Sequence, residues 1–285
     1  MVILNNNFIL NRFFSQVTLK DILRSGSNSV YKKCLEQYIK KREVKSNNDI
    51  IQSLYRYLQE NYRNEYFYKN TLFNKQILGK HSLNTTTALT EVPIHKSKAD
   101  FIKINGKAVV YEIKTELDSL ERLELQLEDY YKAFTIVNVV TSESNVEKVR
   151  ELVDGTNTGI IVLTKRNQFS ERKKAIEDAS GLDKEAMFKV LRKYEFETVI
   201  EKNYGFLPET KPVFYYNECF KLFSQIPLEK VYELFITELK KRNHLHVQDY
   251  LKFVPYELRF LVYFSDSIQK NYENLARFLK NDWRG

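Results

Sequence analysis

Between residues 135 and 164 lie two runs without a single charge, "TIVNVVTS" (135–142) and "GIIVLT" (159–164), separated by the helical pattern "SNVEKVRELV". Uncharged runs rich in Val and Ile read as strands buried on both faces. Upstream, "ALTEVPI" (88–94), "ADFIKI" (99–104) and "AVVYEIKT" (108–115) are short β-rich runs with turn signals between them. Leu117, Leu120, Leu123, Leu127 and Phe134 then recur at helical steps, so the spacing predicts a helix over 117–134. Ser144 or Asn145 would cap the helix that follows the first uncharged run. Three strands, a helix, then strand–helix–strand specify a mixed α/β sheet.

Both flanks of this pattern are helical. "VTLKDILRSG" and "SVYKKCLEQYIKKR" are separated by a Ser/Gly break, and Asn48 or Asp49 can cap a helix carrying Ile50, Leu54 and Leu58. A further helix, "KNTLFNKQILGK", ends near Gly79. After Lys165 the one strand-like run is "PVFYY"; residues 171–204, 217–243 and 246–280 have helical spacing, broken at Gly181, Gly205, Pro208, Pro227 and Pro255. The expected division is an N-terminal helical region (1–63), an α/β core (64–165) and a helical C-terminal domain (166–285).

The 285 residues include 43% apolar and 29% charged side chains with only 8 Gly, which excludes a disordered or fibrous chain. There is no 18-residue apolar run to cross a membrane. The N-terminal stretch "MVILNNNFILNRFF" lacks the basic region and cleavage site of a secretory signal, and Cys34 and Cys219 are too few and too distant for a disulfide scaffold. These features point to the cytoplasm and to no membrane partner. Charge is uneven: residues 1–86 carry 14 Lys/Arg against 6 Asp/Glu, residues 87–165 carry 10 against 13, and residues 166–285 carry 21 against 18. Basic flanks around an acidic centre suit a phosphate-bearing partner. The run 32–45, with Lys40, Lys41 and Arg42, is the best phosphate-tracking face; otherwise it is a solvated helix surface.

Within the acidic centre, Asp100 opens one strand and Glu112-Ile113-Lys114 closes the next. Residues two apart in a strand share a face, so Glu112 and Lys114 point the same way. A two-residue turn at Asn105-Gly106 would leave Asp100 and Glu112 on opposite faces. A three-residue Asn105-Gly106-Lys107 loop instead pairs Ile104 with Ala108, Ile102 with Val110 and Asp100 with Glu112. Two carboxylates about 4 Å apart repel by roughly 4 kcal/mol at an effective dielectric near 20. A proton, Lys114 or a divalent cation can offset that repulsion, and Mg²⁺ is satisfied by one or two carboxylates, waters and phosphate oxygens. The bland alternative is a set of surface ion pairs, each worth about 0–1 kcal/mol.

Asp100, Glu112 and Lys114 resemble the D…(D/E)-x-K motif of the PD-(D/E)XK nuclease superfamily, with Ala99 where the motif's name has Pro. "QLEDY", with Gln126 and Tyr130, resembles the Q-x-x-x-Y motif of its RecB-like and Cas4-like exonuclease branch. The run "YEIKTELDSLERLELQLEDYYKAF" is similar to the sce7726 family of bacterial proteins, best over residues 64–165. The resemblance implies a restriction-endonuclease-like core in which Asp100, Glu112 and the Ile113 carbonyl hold Mg²⁺ or Mn²⁺ and Lys114 faces the scissile phosphate. Gln126 would orient the metal site and Tyr130 would lie near the substrate strand; as a helix-edge polar pair, both would be structural. Arg122, one turn earlier, could hold a phosphate or pair with Asp118. Glu91 could add a carboxylate or be solvated, with Glu60 and Glu65 weaker candidates. His95 reads as an exposed loop residue, and His244 and His246 lack the spacing of a zinc site.

The sequence thus leads to a metal-dependent nuclease acting on nucleic acid, with DNA the expected substrate and a protein partner or homo-oligomer compatible with it. The alternative is a catalytically silent nuclease fold that binds nucleic acid or protein in a mobile-element or phage-defence setting.

Overall fold

The computed structural model describes residues 7–39, 46–79, 85–242 and 247–281. The chain divides into two compact units, one comprising residues 1–84 with 245–285 and the other 85–244. This differs from the three-part division read from the sequence. The α/β unit begins at the first strand and keeps the helices up to Lys240, whose apolar faces share the core of the sheet. The last helices belong with the N-terminal ones.

The helical unit starts with α1 (Phe8–Phe13), α2 (Gln16–Ser25), α3 (Ser29–Tyr38), α4 (Asn47–Asn61) and α5 (Glu65–Leu72), the last continuing as a π-helical turn over Phe73–Leu78. The cap of α4 is Ser46, not Asn48 or Asp49. Its hydroxyl accepts from the Asp49 amide, and the Asp49 carboxylate accepts from the Ser46 amide, which satisfies two orphan donors reciprocally. Leu10, Ile22, Cys34, Ile50, Leu54 and Leu58 are buried in this unit, as their spacing demands.

In the α/β unit, β1 (Thr87–Ile94), β2 (Ser97–Asn105) and β3 (Lys107–Lys114) form an antiparallel meander. The chain then runs through α6 (Leu123–Tyr131), β4 (Val137–Thr141), α7 (Val146–Leu152), β5 (Gly159–Leu163) and β6 (Phe169–Lys173). Strand order in the six-stranded sheet is β1-β2-β3-β4-β5-β6, with β3, β4 and β5 parallel and β6 antiparallel to β5. Helices α8 (Lys184–Val190), α9 (Lys193–Tyr204), α10 (Pro212–Gln225) and α11 (Leu228–Lys240) follow. The chain then returns to the helical unit through α12 (Val247–Phe253), α13 (Arg259–Tyr263), α14 (Asp266–Gln269) and α15 (Tyr272–Lys280). A mixed α/β architecture is therefore observed.

One face of the sheet, carrying Ile102, Ile104, Ala108, Val110, Val137, Val139, Ile160 and Val162, packs with Leu123, Leu127 and Tyr130 of α6 and with apolar residues of α7 to α11. Three expectations change here. The helix expected from residue 117 starts at Leu123, because the Asp118 carboxylate accepts from both the amide and the hydroxyl of Thr115 and closes a turn, leaving Leu117 exposed. "PVFYY" begins α10 with Pro212 in the first turn, where a missing N–H costs nothing. Residues 169–173, "FSERK", form β6, an edge strand whose polar sequence hides its pairing. Among the described residues no helix is long and apolar enough to cross a membrane.

Candidate metal and catalytic site

The β2–β3 ladder pairs Ile104 with Ala108, Ile102 with Val110 and Phe101 with Tyr111, with Gly106 (φ 73°) at the tip. The pairing ends at Phe101 and Tyr111, one step short of Asp100 and Glu112. Across the other edge of β2, Thr90 pairs with Phe101 and Val92 with Ala99, so Glu91 is the residue facing Asp100. Three acids thus lie about one rung on three adjacent strands, Glu91 facing Asp100 and Glu112 one step beyond the last β2–β3 pair.

That rung is distorted. Glu91 has φ 55°, a left-handed conformation costing a residue with a side chain roughly 1–3 kcal/mol. Its effect is visible in the core. Leu89 and then Val92 and Ile94 on β1, and Ala99 and then Ile102 and Ile104 on β2, lie in the same core, so apolar alternation slips by one on both strands. Side chains take over hydrogen bonds at the break. The Thr90 hydroxyl donates to the Asp100 carbonyl (2.8 Å), and the Ile113 amide donates to Asp100 Oδ2 (2.9 Å). Carboxylate oxygens of Glu91 and Asp100 approach within 4.8 Å. Glu91 also pairs with Lys98 at 2.7 Å, both side chains being well exposed.

Glu112 lies on the core side of the sheet, at the carboxyl end of β3, and is 2% exposed. In open α/β sheets the carboxyl ends of parallel strands are where ligands bind. Lys114, also buried, places Nζ 3.1 Å from Glu112 Oε1 and donates to Gln126 Oε1 at 2.8 Å. The Tyr130 hydroxyl is 2.6 Å from Glu112 Oε2 and 2.9 Å from the Lys98 carbonyl, with Gln126 Nε2 at 3.5 Å. Burial raises the Glu112 carboxyl above its ordinary value, although Lys114, Tyr130 and Gln126 all favour its ionised form. Burial, with the negative charges of Glu112 and Asp100, likewise raises the Tyr130 phenol. The sequence set Glu112, Lys114, Gln126 and Tyr130 is therefore one buried hydrogen-bonded chain, and Asp100 adjoins it through the Ile113 amide.

The remaining candidates lie outside the hydrogen-bonded chain around Glu112. Arg122 is exposed at the N-terminus of α6 and has no ion pair among the described residues, while Asp118 bonds Thr115. Glu65 pairs with Lys69 in α5, and Glu60 lies near the end of α4; both belong to the helical unit. Lys40, Lys41, Arg42, His244 and His246 lie outside the described residues. His95 is half-exposed but not idle, since its Nδ1 is 2.8 Å from Asp129 Oδ1.

Asp129, which the sequence reading passed over, also accepts from the Ser97 hydroxyl (2.8 Å), the Lys96 amide (3.3 Å) and Lys132 (2.7 Å). It ties the β1–β2 turn to α6 and so fixes the helix bearing Gln126 and Tyr130 against the strand bearing Asp100. Its place beside Tyr130 in "LEDYY" was the available signal.

The donor set suits a hard divalent cation. Carboxylate oxygens no more than 4.8 Å apart can both reach an ion whose oxygen ligands sit at about 2.1–2.4 Å. Asp100 and Glu91 supply such oxygens, whereas Glu112 is not in that close acidic group and is held by Lys114 and Tyr130.

Residues 58–259, which include every acid of this rung, match the family described as Bacteriophage P4 protein cII. Protein cII of Enterobacteria phage P4 is 28% identical over 178 residues, covering 60% of this chain and 65% of that protein, just under two thirds of its length. No solved structure matches. Since the family match spans well over half of the sequence, this chain belongs to the bacteriophage P4 protein cII family.

Proposed function

We propose that this protein is a metal-dependent nuclease of PD-(D/E)XK type, with a restriction-endonuclease-like core, that hydrolyses phosphodiester bonds of DNA. The observation that carries the reading is the cluster itself: Asp100 accepts from the Ile113 amide next to Glu112, and Lys114 and Tyr130 contact Glu112. The cost of the left-handed Glu91 backbone beside it adds support, because such strain clusters at functional sites. Asp100, Glu112, the Ile113 carbonyl and Glu91 would hold Mg²⁺ or Mn²⁺, which when bound supplies a water of lowered pKa and charge stabilisation on the phosphate. Lys114 orients that chemistry from the protein side. Its ammonium is held between Glu112 and Gln126, and release of either contact would free a further N–H donor for a phosphate oxygen. Tyr130 fixes the Glu112 carboxylate in one rotamer and keeps water from its buried oxygen. Arg122, exposed at the start of α6, would meet a substrate phosphate.

The test is hydrolysis of labelled single- and double-stranded DNA by the purified chain. Activity should require Mg²⁺ or Mn²⁺ and stop with a chelator. Asp100→Ala and Glu112→Ala should each remove it, Lys114→Ala should lower it by about 10²–10⁴-fold with little change in metal affinity, and Gln126→Ala should do less. No cleavage of any DNA or RNA, together with no calorimetric Mn²⁺ binding, would overturn the assignment. A binding role for the same fold is favoured by one feature, the engagement of both Glu112 oxygens by Lys114 and Tyr130. Nucleic-acid binding without cleavage, unchanged by Glu112→Gln, would select it.

A further inference from the structure

The helical unit presents a second surface that the strand-end site does not use. Helices α2 and α3, ten residues each, are joined by the three residues Gly26-Ser27-Asn28. Gly26 ends α2 with φ 79°, a conformation glycine adopts without penalty, and Asn28 caps α3 by accepting from the Tyr31 amide (2.8 Å). Helix α1 packs on α3 through stacked Phe13 and Tyr31 rings, 6.0 Å apart. Two helices joined by a short glycine-containing turn and braced by a third are the frame on which a duplex-binding helix is commonly carried.

The chemistry of the outer face matches that use. The buried side of α3 is Val30, Tyr31 and Cys34; its exposed side is Ser29, Lys32, Lys33, Glu36 and Gln37, at steps of three and four. A groove beside it is lined by Arg12, Val17, Lys20, Asp21, Arg24 and Asn28, among others. Asp21, the acid among these, is held by Arg24 and by Asn28, both at 2.9 Å. Arg12, Lys20, Lys32 and Lys33 are exposed and have no ion pair among the described residues. Four cations without an ion pair among the described residues, around one groove and one helix face, give a locally positive potential that attracts anions. Their spread over three helices fits a repeating line of phosphates better than a single small anion. An α-helix fits the roughly 12 Å major groove of B-DNA, and α3 ends in polar side chains suited to base edges.

We propose that α1 to α3 form a duplex-DNA-binding face, with α3 entering the major groove and Arg12, Lys20, Lys32 and Lys33 contacting the backbone along it. This role is separate from hydrolysis and stands or falls without it.

The test is fluorescence anisotropy of a labelled DNA duplex of about 25 base pairs, titrated with the full chain in chelator across a salt series. With about four phosphates neutralised, the logarithm of affinity should fall with the logarithm of salt at a slope near −3.6. The triple variant Lys20→Glu/Lys32→Glu/Lys33→Glu should weaken binding more than tenfold and flatten the slope by about 3, while its circular dichroism stays that of wild type. The triple Gln variant should give a smaller loss in the same direction. Reversal of three exposed lysines of the α/β unit, Lys148, Lys211 and Lys230, should leave affinity within twofold. Equal losses from the two reversals, or no loss from the first, would overturn the proposal. Because chelator suppresses metal-dependent cleavage, neither result bears on the acid rung.

Discussion

Replacing Lys114 by Met removes the ammonium that lies 3.1 Å from Glu112 Oε1 and 2.8 Å from Gln126 Oε1, at nearly constant volume. At that separation the attraction is about 5 kcal/mol at an effective dielectric near 20. Burial of Glu112 nevertheless outweighs it, since its carboxyl titrates above the ordinary value. An unpartnered carboxylate left there should cost about 3–5 kcal/mol. The cost is bounded by protonation. Taking a proton costs about 1.4 kcal/mol for each pH unit above the unfolded pKa near 4.3, so the charge penalty cannot exceed about 5 kcal/mol near pH 8 and about 1.6 near pH 5.5. The sign follows from the raised folded pKa: between the two pKa values the folded state binds the extra proton, so stability is full below the unfolded pKa and falls as pH rises through the folded one. Adding Glu112→Gln to Lys114→Met removes the buried charge and should return stability to within about 1 kcal/mol of wild type. Urea unfolding followed by far-UV circular dichroism at both pH values measures this. Hydrogen exchange over residues 107–114 assigns the transition to the α/β unit, because a chain of two units need not unfold in one step. Lys114→Met within about 0.5 kcal/mol of wild type near pH 8, or a double variant as unstable as the single one, would refute the reasoning.

Asp129→Ala should cost about 2–3 kcal/mol, because it strips the β1–β2 turn of its anchor on α6 and leaves polar partners unmatched. Burial pushes the Asp129 carboxyl up, but hydrogen bonds from Lys132, Ser97 and His95 outweigh it and hold the carboxyl below its ordinary value. Its contribution is therefore present above the unfolded pKa near 3.9 and lost as pH falls through the folded one, so the gap between variant and wild type should close in acid melts. Gly159→Ala should destabilise by at least about 1–3 kcal/mol, since the added Cβ would lie 2.2 Å from Asn138 Oδ1 and 2.7 Å from the Ala175 amide nitrogen. Thermal melts would show it, and Asn138→Ala/Gly159→Ala should recover only part of the loss because the Ala175 backbone cannot retreat.

Local periodicity by itself determined strands β1 to β5 and their order of appearance, and it favoured the hairpin register found. The alternation of Ile102, Ile104, Ala108 and Val110 favours the pairing of Ile104 with Ala108 and Ile102 with Val110, whereas the slip at Asp100 arises only in the fold. The Glu112/Lys114 and Gln126/Tyr130 pairs were also legible, because residues two apart on a strand and four apart on a helix share a face. Only the folded chain decided that these two pairs meet. Tyr130 reaches Glu112 and the Lys98 carbonyl because α6 packs down on the sheet, and no sequence period encodes contacts across 18 and 32 residues. The left-handed Glu91, the anchoring by Asp129 and the polar edge strand β6 belong to the same class. So does the membership of α12 to α15 in the N-terminal unit. Each is settled by which buried surface is still uncovered once the local elements exist, and that is a property of the whole chain, not of any window along it.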